Sequence, residues 1–180
     1  MDDKKWRYPR KRKYLKDFKP DEDGSYSYQG AVMHCTLTGE EYKKTLRSML
    51  LIAILAMALV LAAGCLPHTG MEGCFYLLLP YAGTLVLLIR LVWNLGQLLY
   101  HGSEIREYIY KNTGERLPAQ LLFGTILPLI GLAGVVYARA RGTYQGSGAG
   151  AVLFVISLLA AAAGTQAIRL LGRQLAWISQ

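Results

Sequence analysis

The chain is poorest in acids where it is richest in apolar residues. No Asp or Glu falls inside any of its four long apolar blocks, and His34, His68 and His101 all lie peripheral to them. A proton- or sodium-coupled carrier would therefore lack its usual intramembrane carboxylate. Membrane-embedded proteolysis would need paired acids, a Ser/His pair or a zinc-binding His-Glu motif, and none is present at membrane depth. The glycine-rich run 146–150 has neither the preceding strand nor the lysine of a phosphate-binding loop, and reads as a loop. No internal repeat is visible. These absences argue against an enzyme and imply no cofactor and no catalytic residue.

Charge itself is missing over long intervals. Residues 48–71, 117–138 and 142–168 carry no acid or base, and 73–103 carries only Arg90 and His101. Crossing a hydrocarbon core of about 30 Å takes about 20 apolar residues, and only helices or closed barrels satisfy their backbone in lipid. A soluble bundle would need polar helix faces, which these blocks lack. The expected fold is an all-α integral membrane protein, a four-helix transmembrane bundle with spans near 46–64, 74–95, 118–137 and 150–171. Residues 1–44 form a basic N-terminal segment, 45–171 the transmembrane domain and 172–180 a tail.

Bases set the expected orientation. Eleven Lys or Arg residues precede Leu46, and Arg47 sits at the membrane edge. The first connection, 65–73, has none; the second carries Arg106, Lys111 and Arg116; the third has Arg139 and Arg141; the tail has Arg173 beside Arg169. The positive-inside rule puts both termini and the middle connection in the cytosol, in the plasma membrane of a bacterial cell. The net charge of +8 is thus mainly a topology signal. Aromatic residues agree: Phe75, Tyr76, Tyr137 and Tyr144 would mark the outer interface, and Tyr42, Trp93, Tyr100 and Trp177 the inner one.

The first nineteen residues hold nine bases and three acids, interleaved with Trp6, Tyr8, Tyr14 and Phe18. Such a strip is attracted to anionic head groups, and the contacts expected are Lys4, Lys5, Arg7, Arg10, Lys11, Arg12, Lys13, Lys43, Lys44 and Arg47. A solvated tail that only enforces topology is the competing reading; nucleic-acid binding is not expected, because no recognised fold accompanies the charge. Residues 25–30 and 31–38 read as two short strands of a hairpin turning near Gln29-Gly30. The alternating stretch 105–110 is a partner strand on the same side, or else a continuation of the second span as helix. Thr38-Gly-Glu-Glu41 has the pattern of a capping box and starts the first helix near Gly39.

Few residues carry chemistry. Cys65 and Cys74 bracket the first external connection, in a non-reducing compartment, with eight residues between them; a disulfide and two free thiols are both compatible with that spacing. The same loop holds His68 and Met71, soft ligands whose spacing matches no standard metal site. Leu61-Ala-Ala-Gly-Cys65 resembles a lipoprotein processing box, but behind far too long a leader. Apart from Arg47 and Arg169 at span ends, Arg90 is the one base inside a span, 16 residues past Cys74 or about 24 Å down a helix. It either snorkels to the inner interface or joins Asn94 and Gln166 in a polar cluster suited to a lipid phosphate.

Small residues would carry the packing: Ala53, Ala56 and Ala63 in span one, Gly124, Gly131 and Gly134 in span three, and Ala160-xxx-Gly164 in span four. Pro80 and Pro128 are expected kink points. Ile168, Leu171, Leu175 and Ile178 share a helical face, so the tail is expected to run on as an interfacial amphipathic helix anchored by Trp177. Anionic lipids and other helices, from this chain or a foreign one, are the expected partners. The functional expectation is a non-enzymatic accessory, scaffold or regulatory subunit. The alternative is a small transporter or channel subunit that works as an oligomer.

Overall fold

The computed structural model describes residues 18–20, 26–28, 31–67, 69–71 and 74–179. The chain runs β1 (Phe18–Pro20), β2 (Tyr26–Tyr28), β3 (Val32–Cys35), α1 (Gly39–Cys65), α2 (Phe75–His101), β4 (Glu104–Arg106), α3 (Glu107–Asn112), α4 (Leu117–Ala140), α5 (Gly148–Gly172) and β5 (Trp177–Ser179). Among the described residues α1, α2, α4 and α5 are the helices long and apolar enough to cross a membrane. At 27 residues α1 and α2 each reach about 40 Å, more than a hydrocarbon core.

Each long helix is apolar on all sides, and burial rather than polarity distinguishes its faces. In α1 Leu46, Met49, Ala53, Ala56, Val60 and Ala63 are buried at helical spacing, while Leu51, Ile54, Leu55 and Leu59 face outward. Such an outer surface suits acyl chains and not water. The protein is a four-helix membrane bundle in which α1 packs on α2 and α5, and α4 packs on α2 and α5.

Buried hydroxyls are satisfied close to home, as lipid favours. The hydroxyls of Thr84, Thr125, Thr165 and Ser157 donate to carbonyls of their own helices, at Pro80 (2.7 Å), Leu121 (2.9 Å), Ala161 (3.0 Å) and Phe154 (2.7 Å). Two phenols cross between helices: Tyr42 donates to the Leu98 carbonyl at 3.0 Å and Tyr81 to that of Val60 at 2.8 Å. Tyr42 is therefore a buried strut between α1 and α2, and not an interfacial aromatic.

The small residues are used inside the bundle. A Cβ on Gly124 would stand 2.9 Å from Cγ2 of Thr165, and one on Gly164 3.5 Å from Cβ of Ala56. Gly124→Leu is expected to cost about 2 kcal/mol by overpacking α4 against α5. Gly96→Ala, where open space awaits the methyl, is expected to be neutral or slightly stabilising. Unfolding titrations in mixed micelles measure both, and equal effects at the two sites would refute the α4–α5 approach.

A small sheet closes one end. Its strand order is β4-β3-β5, all antiparallel, with Met33 opposite Ile105 and Ser179, and His34 opposite Glu104 and Ile178. Met33, Cys35 and Trp177 pack against the core, and Ile105 is buried. The N-terminal segment, the α2–α4 connection and the tail thus meet at the same end of the bundle, as an even number of crossings demands.

Several expectations need correction. Val32–Cys35 does not fold back on Tyr26–Tyr28, which pairs instead with Phe18–Pro20; the expected turn at Gln29-Gly30 lies outside the described residues. Of 105–110 only the first two residues belong to a strand, because Glu107 opens α3 with an ion pair to Lys111 one turn on. The second span does not continue through, since α2 stops at Gly102, whose φ of +81° suits glycine. Thr38 is the N-cap of α1 but makes no side-chain capping bond, so the capping box is not formed.

The largest correction is the tail. α5 ends at Gly172, and residues 177–179 add a strand to β3 rather than lying as an interfacial helix. The Thr36 amide donates to the Ala176 carbonyl at 2.9 Å. Trp177 sets its ring against Tyr42 and Tyr110, at centroid distances of 5.9 and 5.5 Å. Ile168, Leu171 and Leu175 do pack on the core, but Ile178 is exposed. Strand pairing and an aromatic pocket outweigh a last amphipathic turn.

Candidate functional site

The polar features cluster at the sheet end. Arg90, Trp93, Asn94, Gln97 and His101 recur at helical spacing on one face of α2. Facing them are Tyr108 and Asn112 of α3 and Arg116 just before α4, and together they line a basin of about 470 Å³. α3 is short, yet it forms the far wall because β4 holds its start against β3. Thr113, buried after its last turn, donates to the Ile109 carbonyl at 2.7 Å.

One lining residue, Asn94, belongs to an amide pair between α2 and α4. Asn94 is buried and donates through Nδ2 to Oε1 of Gln120 on α4 at 2.8 Å. Nε2 of Gln120 is buried and has no acceptor among the described residues. Arg90 and Arg116 are exposed, and neither guanidinium has an ion-pair or hydrogen-bond partner among the described residues. Among the described residues no carboxylate lines the basin. The nearby acids Glu104 and Glu107 are matched to His34 (3.6 Å) and Lys111. The site holds donors and positive charge with no carboxylate among its described lining residues to match them, which is the chemistry of anion recognition.

Trp93 and Gln97 are shared with a second depression of about 470 Å³, lined also by Met57, Ile89, Val92 and Gly96 between α1 and α2. That furrow is apolar, so the exposed indole of Trp93 divides a basic basin from an apolar groove. Elsewhere at this end Lys43, Lys44 and Arg47 line a shallow patch with Glu40, Ser48 and Leu51 on the outward face of α1.

Of the expected polar cluster, Arg90 and Asn94 come together and Gln166 does not join them. Gln166 donates to Oγ1 of Thr125 at 3.1 Å, and Thr125 bonds Thr165 at 3.0 Å, tying α4 to α5. Sequence reasoning missed Gln120, the partner of Asn94, although it was a polar side chain in a charge-free block. It also missed Arg116, Gln97 and His101 as companions of Arg90; the helical spacing from 90 to 101 was the available signal. The contacts expected at Lys4, Lys5, Arg7, Arg10, Lys11, Arg12 and Lys13 lie outside the described residues, as does His68.

From the opposite end an apolar cavity of about 630 Å³ runs between α2 and α4, lined by Phe75, Leu79, Phe123 and Leu127 among others and, of the described residues, by no charged side chain. Cys65 and Cys74 are free thiols, Cys65 exposed and Cys74 buried, the unbridged one of the two states their spacing allows. Cys74 turns inward at the start of α2, its Sγ 3.9 Å from the Thr143 carbonyl. Among the described residues no His, Cys, Asp or Glu group is placed to hold a metal. Tyr144 folds inward over the loop, donating to the Thr69 carbonyl at 2.9 Å, with Gly70 at φ +84° beneath its ring. It clasps the loop. Burial pushes its phenol pKa up, while Arg139 pulls it down.

Searches of protein-family models, curated proteins and solved structures find no match to this chain.

Proposed function

We propose that this multi-pass membrane protein is a non-enzymatic accessory or scaffold subunit of a plasma-membrane complex, presenting its sheet end to the cytosol. The observation that carries the reading is the three-stranded sheet. It fastens the N-terminal segment, the middle connection and the tail into one platform over the helix ends. The bundle beneath is filled along its length by Leu77, Leu88, Leu95, Phe154 and Leu158, all buried, which favours a rigid support over a transport pathway within one copy. Its outward apolar faces, such as Leu55, Val86 and Val136, are available to lipid and to partner helices.

Native mass spectrometry of the protein, extracted gently from its own membrane, tests this. A stoichiometric foreign subunit is the expected result. A homo-oligomer with nothing else bound would overturn the scaffold reading in favour of a transporter or channel subunit.

The cytosolic orientation rests on charge. Lys43, Lys44, Arg47, Arg106, Lys111, Arg116 and Arg173 belong to the sheet end, against Arg139 and Arg141 at the other. Cys65, exposed at the far end of α1, is expected to react with a membrane-impermeant maleimide in intact cells. Cys35, in β3, should react only after permeabilisation. The reverse pattern would invert the topology.

A further inference from the structure

We propose that the basin between α2 and α3 is a binding site for the phosphate of an anionic phospholipid. In this arrangement Arg90 and Arg116 hold the phosphate, and the lipid's acyl portion passes Trp93 into the furrow between α1 and α2. The inference goes beyond the scaffold reading and does not depend on a partner subunit.

Four observations converge. First, Arg90 lies within an apolar helix, 11 residues before the end of α2 at His101, about 17 Å along the axis. A guanidinium near the inner boundary either reaches the interface or takes a counter-charge, and the protein supplies none among the described residues. Second, Arg116 lines the same basin, also unpaired among the described residues, so two cations share one space whose described lining holds no carboxylate. A phosphate offers several acceptor oxygens and the geometry that guanidinium forks match. Third, hydrogen-bond capacity is in surplus: Asn94 lines the basin, and its partner Gln120 retains a buried Nε2 with no acceptor. Fourth, the basin abuts an apolar groove across Trp93 and Gln97. A free inorganic anion would use only the basin; a phospholipid would use both. An indole at such a boundary, apolar in body and polar at its N–H, is suited to the junction of head group and chain.

The test uses the full-length protein in a non-ionic detergent. Native mass spectrometry would follow titration with phosphatidylglycerol, with phosphatidylcholine, and with inorganic phosphate. One phosphatidylglycerol is expected to be retained about tenfold more tightly than phosphatidylcholine. The Arg90→Gln/Arg116→Gln pair should abolish that preference, whereas the Lys43→Gln/Lys44→Gln/Arg47→Gln triple variant on the outer face of α1 should keep it. A second readout needs no arginine variant: in vesicles, phosphatidylglycerol brominated on its acyl chains should quench the fluorescence lost in Trp93→Phe more strongly than brominated phosphatidylcholine does. Equal retention of the two lipids, or a preference that survives loss of both arginines, would overturn the site. If millimolar inorganic phosphate alone reproduced the arginine-dependent binding and phosphatidylglycerol added nothing, the lipid assignment would fall and a soluble phosphate would take its place.

Discussion

Phe154→Ala is expected to lower the unfolding free energy by about 2.5 kcal/mol. Phe154 is fully buried on α5, its ring centroid 5.7 Å from that of Tyr81 on α2. In lipid the usual transfer term largely drops out, because an unpacked phenylalanine still lies among hydrocarbon. What remains is the cavity, about 24 cal/mol per Å³ over a void of about 100 Å³. Leu159→Ala, on the outward face of the same helix, should change stability by less than about 0.5 kcal/mol. Titration with a denaturing detergent, followed by circular dichroism, measures both. Similar small losses at the two positions would mean that α5 does not present Phe154 to the bundle.

Ending the chain after Ala176 is expected to cost about 3 kcal/mol at the sheet end. Truncation removes β5 and strips Trp177 from Tyr42 and Tyr110. Each lost aromatic contact is worth about 1 kcal/mol, and each strand hydrogen bond about as much net. β3 would become an edge. Cys35 sits opposite Trp177 in the register, so its alkylation in detergent should accelerate at least about tenfold. An interfacial tail helix would instead leave Cys35 untouched by the truncation. Unchanged Cys35 reactivity is therefore the outcome that would refute β5.

Helix existence was legible because the signal is additive and local. The intervals 48–71 and 142–168 carry no Asp, Glu, Lys or Arg and each holds a long apolar run, whatever it packs against. The start of α1 at Gly39 was equally local, although the capping bond expected of Thr38 is not made. The candidate site was half legible. Arg90 and Asn94 stood out as polar residues in an apolar span. Gln166 was assigned to them because it too is polar, yet it faces Thr125. Nothing in a uniformly apolar helix tells which side faces which neighbour, since lipid and core select the same residue types. Gln120 was overlooked for that reason.

The tail shows the same boundary from the other direction. Its apolar spacing through Ile168, Leu171 and Leu175 read as helix, and those residues do pack on the core. Whether residues 177–179 continued that helix or joined a strand depended on β3, some 140 residues earlier in the chain, and on the gap between Tyr42 and Tyr110. Such a choice is non-local, and periodicity over a few residues cannot carry it.

By itself, then, the sequence determined that this is a membrane protein with four crossings, because burial in hydrocarbon is a property of each segment alone. Only the tertiary structure decided which helices touch, that the three segments at one end share a sheet, and that Arg90 and Arg116 line one basin with no carboxylate among its described residues. Those are pairings between distant segments, and their free energies exist only once both partners are in place.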